Sequence, residues 1–308
     1  MNGKRIMTVG LLALTLGCVT APRLVTGKYE GAAAKVAPRH VIFVGWDGFA
    51  GNTFEQAKVP TLRTLMAEGA WTLHSRSILP SSSACNWRSV FTCSAPEQHG
   101  YVAWDSAKPA FPVAATAENG LYPDLFHTLR RQRPSAEIGI LYTWSGIGAV
   151  ADTNACDFVA MVPHADITDR AVAYIKAKKP TFLAVCYDYP DHVGHVGGWG
   201  SPSYYTCVTE LDAMLRRILD AAAEAGILED AVVLISSDHG GTGKDHGGPT
   251  LAEMERPVVL WGKAVKRGYE LAFPGTIYDT GATLAALLGL NPPAPWIGRP
   301  FDEAFVTP

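Results

Sequence analysis

Short runs of apolar, largely β-branched residues recur along the chain, with helical patterns between most of them. This alternation constrains the fold more than any other feature of the sequence. The runs are His40–Trp46, Ile138–Tyr142, Phe182–Tyr187, Ala231–Ser236 and residues 258–261. Continuous apolar runs of this length are typical of strands that are buried on both faces. Strands that alternate with helices predict an α/β fold, with a single mostly parallel sheet sandwiched by helices.

Three helices can be predicted from their boundaries and apolar spacing. Ser201 and Pro202 form a cap and first-turn pair, and apolar residues then recur every three or four positions until Gly226. Two further helices are predicted at residues 61–68 and 279–288. Residues 105–120 contain several Pro and Ala residues and are interpreted as a surface excursion, so they do not divide the domain.

The charge balance argues against one class of function. The 26 basic and 29 acidic residues give a net charge of −3, and there is no Lys/Arg block of the kind that follows a nucleic-acid backbone. The sequence therefore predicts no nucleic-acid-binding module. No feature indicates an oligomeric state.

The N-terminus has the layout of an export leader. Lys4 and Arg5 precede an apolar run over residues 6–16 that is short for a bilayer span, and small residues follow. Cleavage after Ala21 and lipid attachment at Cys18 both fit. We expect a leader at residues 1–21, a flexible linker at 22–37 and a catalytic domain at 38–308. The protein is then periplasmic, secreted or lipid-anchored, and contacts a membrane only through Cys18.

Acidic and imidazole side chains follow three of the predicted strands. They are Asp47, then Asp191 and His195, then Asp238, His239 and His246. A single Asp after a strand is commonly a turn residue. Six such groups at strand ends that share one sheet edge instead predict a ligand site. Three Asp and three His suit two Zn²⁺ ions better than Ca²⁺ or Mg²⁺, which prefer oxygen ligands.

The remaining histidines are interpreted differently. His192 is expected to line a pocket because it follows Asp191. The others are predicted to be core or surface residues without a catalytic role: His40, His74, His127 and His164.

Three consecutive serines precede a helix-compatible run in "LPSSSACNWRSVFTCSAPEQHG". A serine at a helix N-terminus is usually a cap. The motifs around this segment change that interpretation, because together they resemble a known family. They are "HVIFVGWDGF", "VPTLRTLMAEGA", "APEQHG", "YPDHVGHVGG", "SSDHGGTGKDHGG", "IYDTGATLAALLGL" and "WIGRPF".

The chain resembles the alkaline phosphatase superfamily, and within it the type I phosphodiesterase/nucleotide pyrophosphatase family. The resemblance implies an alkaline-phosphatase-like fold and a small-molecule phosphate ester as substrate. Counted back from "APEQHG", the family's nucleophile falls on Ser83, and an Asn that helps to hold a phosphoryl oxygen falls on Asn86. Ser83 replaces the more typical Thr, and Cys85 and Cys93 stand where Pro and Gly are common.

The resemblance also implies how two zinc ions are held. One is bound by Asp47, Ser83, Asp238 and His239, and the other by Asp191, His195 and His246. The expected reaction forms a phosphoseryl intermediate on Ser83. An alkaline phosphomonoesterase, a sulfatase-like hydrolase and a non-catalytic binding protein are the alternatives.

Several other residues have two interpretations at this point. Arg88 and Lys244 either meet substrate charge or are solvated on the surface. Five aromatic residues either form a stacking surface for substrate or pack in the core: Trp46, Phe49, Trp87, Trp144 and Trp199.

Overall fold

An eight-stranded sheet organises residues 27–306, the part of the chain that this computed structural model describes. The strands are β1 (His40–Trp46), β2 (Ala70–Arg76), β3 (Ile138–Tyr142), β4 (Phe158–Met161), β5 (Phe182–Tyr187), β6 (Ala231–Ser236), β7 (Glu255–Gly262) and β8 (Tyr269–Glu270). Their order is β4-β3-β5-β1-β6-β7-β2-β8, and of these eight strands β7 alone runs against the others. The predicted mostly parallel sheet is confirmed.

Helices cover both faces of the sheet. They are α1 (Ala32–Val36), α2 (Pro60–Glu68), α3 (Ser83–Thr92), α4 (Pro96–His99), α5 (Leu125–Gln132), α6 (Gly146–Val150), α7 (His164–Lys178), α8 (Asp191–Gly197), α9 (Pro202–Glu224), α10 (Leu251–Met254) and α11 (Ile277–Leu287). One face packs against α3, α5 and α11, and the other against α2, α7 and α9. Among these helices, none is both long and apolar enough to cross a membrane.

Strand β1 lies at the centre and is buried on both sides. Val41 and Phe43 enter the core under α3, whereas Ile42 and Val44 enter the core under α9. This explains why the sequence of the strand is a continuous apolar run.

The prediction missed β2, β4 and β8. Strand β2 carries polar residues, β4 is an edge strand whose exposed residues alternate, and β8 has only two residues.

The segment at residues 27–37 differs from the predicted flexible linker at 22–37. It contains α1, whose Ala33 is fully buried, and the Ala33 N–H donates to Asp302 Oδ1 at 2.8 Å. The N–H of Gly27 donates to the carbonyl of Pro292 at 3.0 Å. Contacts with residues near the C-terminus thus order a segment with little apolar pattern of its own. The predicted leader at residues 1–21, including Cys18, lies outside the described residues, and export stays a prediction.

Helix α3 is unusual because all ten of its residues are buried. His99, which belongs to the motif "APEQHG", contacts α3 and is fully buried. The Nε2 of His99 lies 3.0 Å from Ser89 Oγ, and its Nδ1 accepts from the Tyr101 N–H at 3.2 Å. Since Nδ1 accepts, the ring is neutral and donates from Nε2. Burial, with Arg88 nearby, lowers the pKa of His99 to about 3.

This histidine makes stability depend on pH. The folded state binds its proton less readily than the unfolded chain, whose histidine pKa is about 6.5. The free energy of unfolding is therefore expected to fall by about 2 kcal/mol from this group alone as the pH drops from 7 to 5. Denaturant titrations of wild type and His99→Gln at both pH values test this. The decrease should be smaller in the variant, and an equal decrease would contradict it; His74→Gln, at an exposed position, is the control.

Candidate active site

Asp47 is fixed at the carboxyl end of β1 by the loop that follows β5. Its N–H donates to the carbonyl of Tyr187, and its carbonyl accepts from the N–H of Asp191, both at 2.9 Å. Gly48 follows with a φ of +71°, and a Cβ on it would lie 2.8 Å from the Cα of Asp191. Only glycine suits this conformation and this approach. Position 48 thus sets how closely Asp47 and Asp191 approach.

The end of β6 is tied to the same loop. The N–H of Gly48 donates to Asp238 Oδ1 at 3.1 Å, and the N–H of Phe49 donates to Ser237 Oγ at 2.9 Å. Strand β1 pairs in parallel with both β5 and β6. The three strand ends therefore bring the predicted carboxylates to one edge of the sheet, as expected for a site in an open α/β fold.

Three histidines turn the same ring nitrogen toward this site. Each places Nδ1 on a backbone carbonyl: His195 on Lys244 at 2.9 Å, His239 on Gly240 at 2.7 Å and His246 on Ser81 at 3.0 Å. A carbonyl only accepts, so Nδ1 carries a proton in each of the three rings, and Nε2 has a free lone pair whenever the ring is neutral. Histidines that ligate a metal are oriented by the same kind of contact.

The ligand atoms form two adjoining groups. In the first, His239 Nε2 lies 3.4 Å from Asp47 Oδ1 and 3.3 Å from Asp238 Oδ2. In the second, Asp191 lies 3.4 Å from His195 Nε2 and 3.5 Å from His246 Nε2.

The second group also contains two imidazole nitrogens in contact. The Nε2 atoms of His195 and His246 are 3.1 Å apart. His239 stacks on His246 and belongs to both groups by distance, since its ligand atom lies within 4.8 Å of those of Asp191 and His246. All six predicted Asp and His ligands are therefore brought together.

Ser83 is the first residue of α3 and lies between these groups and solvent. Its Oγ is 3.1 Å from His239 Nε2 and donates to Asp47 Oδ1 at 3.4 Å. The first group thus has the hydroxyl that the sequence predicted beside it.

The electrostatics of the site favour the binding of a cation. Burial, with Asp238 and Asp191 close by, raises the pKa of Asp47 well above its usual range, and burial does the same for Asp238. Burial and the proximity of His246 lower the pKa of His239 to about 3, whereas the hydrogen bond to Asp191 raises the pKa of His195 to about 9. Within residues 27–306, the buried atoms Asp191 Oδ1 and Asp238 Oδ2 have no hydrogen-bond partner.

Crowded carboxylates, unpartnered oxygens and inward lone pairs fit metal ligands. Without a cation the carboxylates repel one another and lose their hydration. We therefore identify two candidate metal-binding groups, Asp47 with Asp238 and His239, and Asp191 with His239 and His246. His195, a predicted ligand of the second ion, lies next to the second group through its contacts with Asp191 and His246.

A cleft of about 600 Å³ opens in front of Ser83. Trp104, Trp144, Asp188 and Asp245 are among the residues that line it. His192 also lines it, which confirms the prediction for that residue. Sequence reasoning missed Trp104, Asp188 and Asp245. Asp188 could have been found from its position directly after β5, whereas the position of Trp104 in an irregular segment gave no signal.

Asn86 does not reach this cleft, contrary to its predicted contact with a phosphoryl oxygen. It is fully buried, and its Oδ1 accepts from the Ile78 N–H at 2.9 Å. Its Nδ2 donates to the carbonyls of Pro80 and Ser82 at 3.0 and 2.9 Å. The side chain is fully occupied in shaping the loop before Ser83. We assign it a positioning role in that loop.

Arg88 and most of the aromatic residues are also excluded from substrate contact. Arg88 is buried, pairs with Asp124 at 3.4 Å and donates to two backbone carbonyls. The suggestion of a substrate-facing or solvated Arg88 is therefore wrong. Of the five aromatic candidates, Trp144 lines the cleft, and the other four do not: Trp46, Phe49, Trp87 and Trp199. The ring of Trp199 packs instead behind His195 and His246, with centroid distances of 5.3 and 5.9 Å.

Trp87 has a different role, which the sequence did not indicate. Its indole N–H donates to Asp47 Oδ2 at 2.8 Å, on the side of the carboxylate away from Ser83 Oγ. It therefore orients a candidate ligand from within the core.

Replacing Trp87 by phenylalanine removes this hydrogen bond and keeps an aromatic ring in the core. Supporting contacts of this kind change metal affinity or activity by about 10- to 100-fold. We expect a loss in that range for Trp87→Phe, measured as the metal concentration that restores half-maximal activity to chelated protein. The control is Trp261→Phe, whose indole donates to Glu68 on the surface. Equal metal requirements for the two variants would contradict the assigned role.

Comparisons with solved structures agree with the fold. An inactive variant of murine ectonucleotide pyrophosphatase/phosphodiesterase 5, in complex with AMP, superposes with a TM-score of 0.69 at 16% identity, covering 87% of this chain and 100% of that chain. The human ectonucleotide pyrophosphatase/phosphodiesterase 5 gives 0.67 at 14% identity, covering 86% and 99%. At this identity the similarity establishes the alkaline-phosphatase-like architecture alone.

Curated relatives are 2,3-bisphosphoglycerate-independent phosphoglycerate mutases. The protein from Gloeobacter violaceus is 29% identical over 149 residues, which is 44% of this chain and 26% of the relative. The protein from Gluconobacter oxydans is 35% identical over 136 residues, 42% of this chain and 24% of the relative. The chain thus spans about a quarter of the length of these mutases, and their reaction is not transferred to it.

A family-wide comparison covers more of the chain. The sequence pattern described as type I phosphodiesterase / nucleotide pyrophosphatase matches residues 41–256. This range runs from β1 into β7 and includes every candidate ligand as well as Ser83. The chain belongs to the type I phosphodiesterase/nucleotide pyrophosphatase family.

Proposed function

We propose that this protein hydrolyses phosphoric diesters through a covalent intermediate on Ser83, with two zinc ions as cofactors. The observation that carries the proposal is the place of Ser83 Oγ, 3.1 Å from His239 Nε2 and facing the cleft. A hydroxyl at that point touches one ligand group and borders the other. Family membership and the small-molecule size of the cleft support the same activity.

Two zinc ions suit the donor set. Asp47, Ser83, Asp238 and His239 would hold one, and Asp191, His195 and His246 the other. Imidazole nitrogen and carboxylate oxygen are common zinc ligands. Bound zinc would lower the pKa of the serine hydroxyl and offset the negative charge that develops on the phosphoryl group.

The chain's own residues supply the nucleophile and its orientation. Ser83 Oγ forms a bond to phosphorus as the bond to the leaving alcohol breaks, which gives a phosphoseryl diester. Water then cleaves that ester, releases a phosphate monoester and regenerates the hydroxyl. Asp47 accepts the hydrogen bond of the Ser83 hydroxyl, and Asn86 holds the preceding loop. The N–H of Ala84 is occupied by the carbonyl of Trp104 at 3.0 Å, so it is not a phosphoryl donor.

The charges of the cleft favour diesters over monoesters. A monoester carries one more negative charge than a diester, and a cationic side chain usually meets it. Within residues 27–306, the residues that line the cleft include neither Lys nor Arg, and Arg88 is paired inside the protein. A phosphomonoesterase is therefore the second candidate.

Metal analysis and two model esters test the proposal. We expect about two zinc ions per chain, cleavage of bis(p-nitrophenyl) phosphate that exceeds cleavage of p-nitrophenyl phosphate, loss of both on chelation and recovery with zinc. A preference for p-nitrophenyl phosphate would indicate a phosphomonoesterase. No bound metal and no cleavage after zinc is restored would support a non-catalytic member of the family.

A further inference from the structure

A fully buried arginine lies behind the candidate active site. Arg256, the second residue of β7, has no solvent exposure. Within residues 27–306, its guanidinium forms no ion pair, and its Nε has no hydrogen-bond partner. Burial lowers the pKa of Arg256 to about 9, an effect that Asp238 and Asp279 oppose, so the side chain is charged at neutral pH. A buried charge without an ion-pair partner is costly, and a bound metal cation would not pair with it.

One side of the guanidinium contacts the end of β6. Nη1 of Arg256 donates to Ser236 Oγ and, at 3.0 Å, to the carbonyl of Ser237. Ser237 Oγ, which also anchors the loop after β1, donates to the carbonyl of His239 at 2.8 Å. Asp238 lies between Ser237 and His239 in the chain. Arg256 therefore restrains the backbone that carries two candidate ligands of the first metal-binding group.

The other side of the guanidinium contacts β2 and α11. Nη2 donates to Ser75 Oγ at 3.0 Å and to Thr280 Oγ1 at 3.1 Å, and both hydroxyls belong to fully buried residues. Helix α11 packs closely against α3, the helix that begins at Ser83. A Cβ on Gly281 would lie only 1.8 Å from the carbonyl oxygen of Val90 in α3. A displacement of α11 would therefore be transmitted to α3.

We propose that Arg256 is a positioning residue, which fixes the backbone of Asp238 and His239 relative to the helix that carries the Ser83 hydroxyl. This inference rests on the proposed function, since it gives Arg256 a part in that reaction. Four hydrogen bonds run from two nitrogens to β6, β2 and α11, and the planar guanidinium provides them at fixed angles. If the side chain only filled the core, an apolar residue of similar volume would serve as well or better.

Arg256→Met tests the proposal, because methionine fills part of the same volume and donates no hydrogen bond. We expect zinc affinity to fall by about 10- to 100-fold, as for other residues that support a ligand. Competition with a chromogenic chelator on the purified full chain measures it. At saturating zinc, kcat for bis(p-nitrophenyl) phosphate should fall by up to about 100-fold, because the hydroxyl and the ligands are no longer held in register. KM should change little, because Arg256 is enclosed in the core and does not line the cleft.

Arg256→Lys separates the charge from the geometry. Lysine keeps the positive charge, but its single nitrogen cannot reach β6, β2 and α11 together. We therefore expect it to recover little of the zinc affinity and kcat that methionine loses. Full recovery in Arg256→Lys would overturn the proposed role of the guanidinium fork.

Arg130→Met is the matched control for the loss of a bridging guanidinium. Arg130, in α5, is largely buried and donates to the carbonyls of Ala155, Pro134 and Ala136, none of which belongs to a candidate ligand. This variant should lose stability and keep the wild-type zinc affinity and kcat. Thr280→Val is the milder test if Arg256→Met does not fold, because it removes only the α11 contact of Arg256. It should lower kcat several-fold, and an unchanged kcat would contradict the link to α3.

Hydrogen exchange separates failure of this proposal from failure of the proposed function. The N–H groups of Gly48 and Phe49 donate to Asp238 and Ser237, so their exchange rates report on the end of β6 without any metal. If wild type neither binds zinc nor cleaves an ester, the proposed function fails. Faster exchange of these two amides in Arg256→Met than in Arg130→Met would still support the positioning role. Equal exchange in the two variants, or unchanged zinc affinity and kcat in folded Arg256→Met, would overturn it.

Discussion

Ser83→Ala is expected to lower kcat for diester hydrolysis by on the order of 10⁴- to 10⁶-fold, the range seen when an enzyme loses its nucleophile. The physical reason is that no other hydroxyl occupies the point between Asp47 Oδ1 and His239 Nε2 in the described site. Removal of one oxygen leaves the six Asp and His ligands in place. Zinc content should therefore be largely retained, as measured on the purified variant.

Two further measurements make this prediction specific. Ser83→Thr keeps a hydroxyl at the same point and should recover a large part of the activity that alanine loses. Rapid quenching of wild type with a slow diester substrate should trap on Ser83 the phosphoryl group together with the alcohol that the substrate retains, detectable by peptide mass spectrometry. Ser203→Ala, at an exposed position in α9, is the control for the substitution itself. Full activity in Ser83→Ala would refute the nucleophile assignment.

Asp238→Asn is expected to change stability and function in opposite directions. With chelator present, the variant should melt at a higher temperature than wild type, because a fully buried carboxylate beside Asp47 and Asp191 is removed. With zinc present, its activity should fall by more than about 100-fold, beyond the effect of residues that only support a ligand. Thermal melts and assays with and without zinc measure both effects.

The stability difference between Asp238→Asn and wild type in chelator is expected to depend on pH. The pKa of Asp238 is raised in the folded metal-free protein. Its contribution to stability is therefore present at low pH and is lost as the pH rises above the ordinary range for Asp, near 4. The advantage of Asp238→Asn should then grow with pH. Asp230→Asn, a surface variant, should leave zinc binding and activity unchanged. A variant that is less stable than wild type in chelator at pH 7 would contradict this account.

The sequence predicted the ligands well because strand ends place them. Asp47 directly follows a strand that is buried on both faces, and Asp238 follows β6 after one residue, so their positions depend on strand register alone. Strands β1, β3, β5 and β6 begin and end where the apolar runs predicted. A continuous apolar run of this length strongly favours a strand that is buried on both faces.

Side-chain partners were predicted less well. Asn86 and Arg88 have residue types that suit a phosphate site, and their spacing from Ser83 is compatible with one. In the folded chain, the Asn86 amide donates to backbone carbonyls. Arg88 pairs with Asp124 and donates to the carbonyls of Val150 and Tyr122. The hydrogen-bond partners of a buried polar side chain depend on residues that are distant in the sequence. The same holds for α1, whose position depends on Asp302.

The order of strands in the sheet also has a consequence for when the cofactor can be loaded. Strand β1 pairs residue 41 with residue 182 on one side and residue 40 with residue 231 on the other. Contacts between such distant residues form slowly, because long loops must close first. A chain still being synthesised that ends before residue 239 has neither complete ligand group, and one that ends before residue 246 lacks the second group. Both candidate metal-binding groups can therefore be filled only after residue 246 has been synthesised and β1, β5 and β6 have paired, so the metal supply where the chain folds would set the fraction of protein that is loaded.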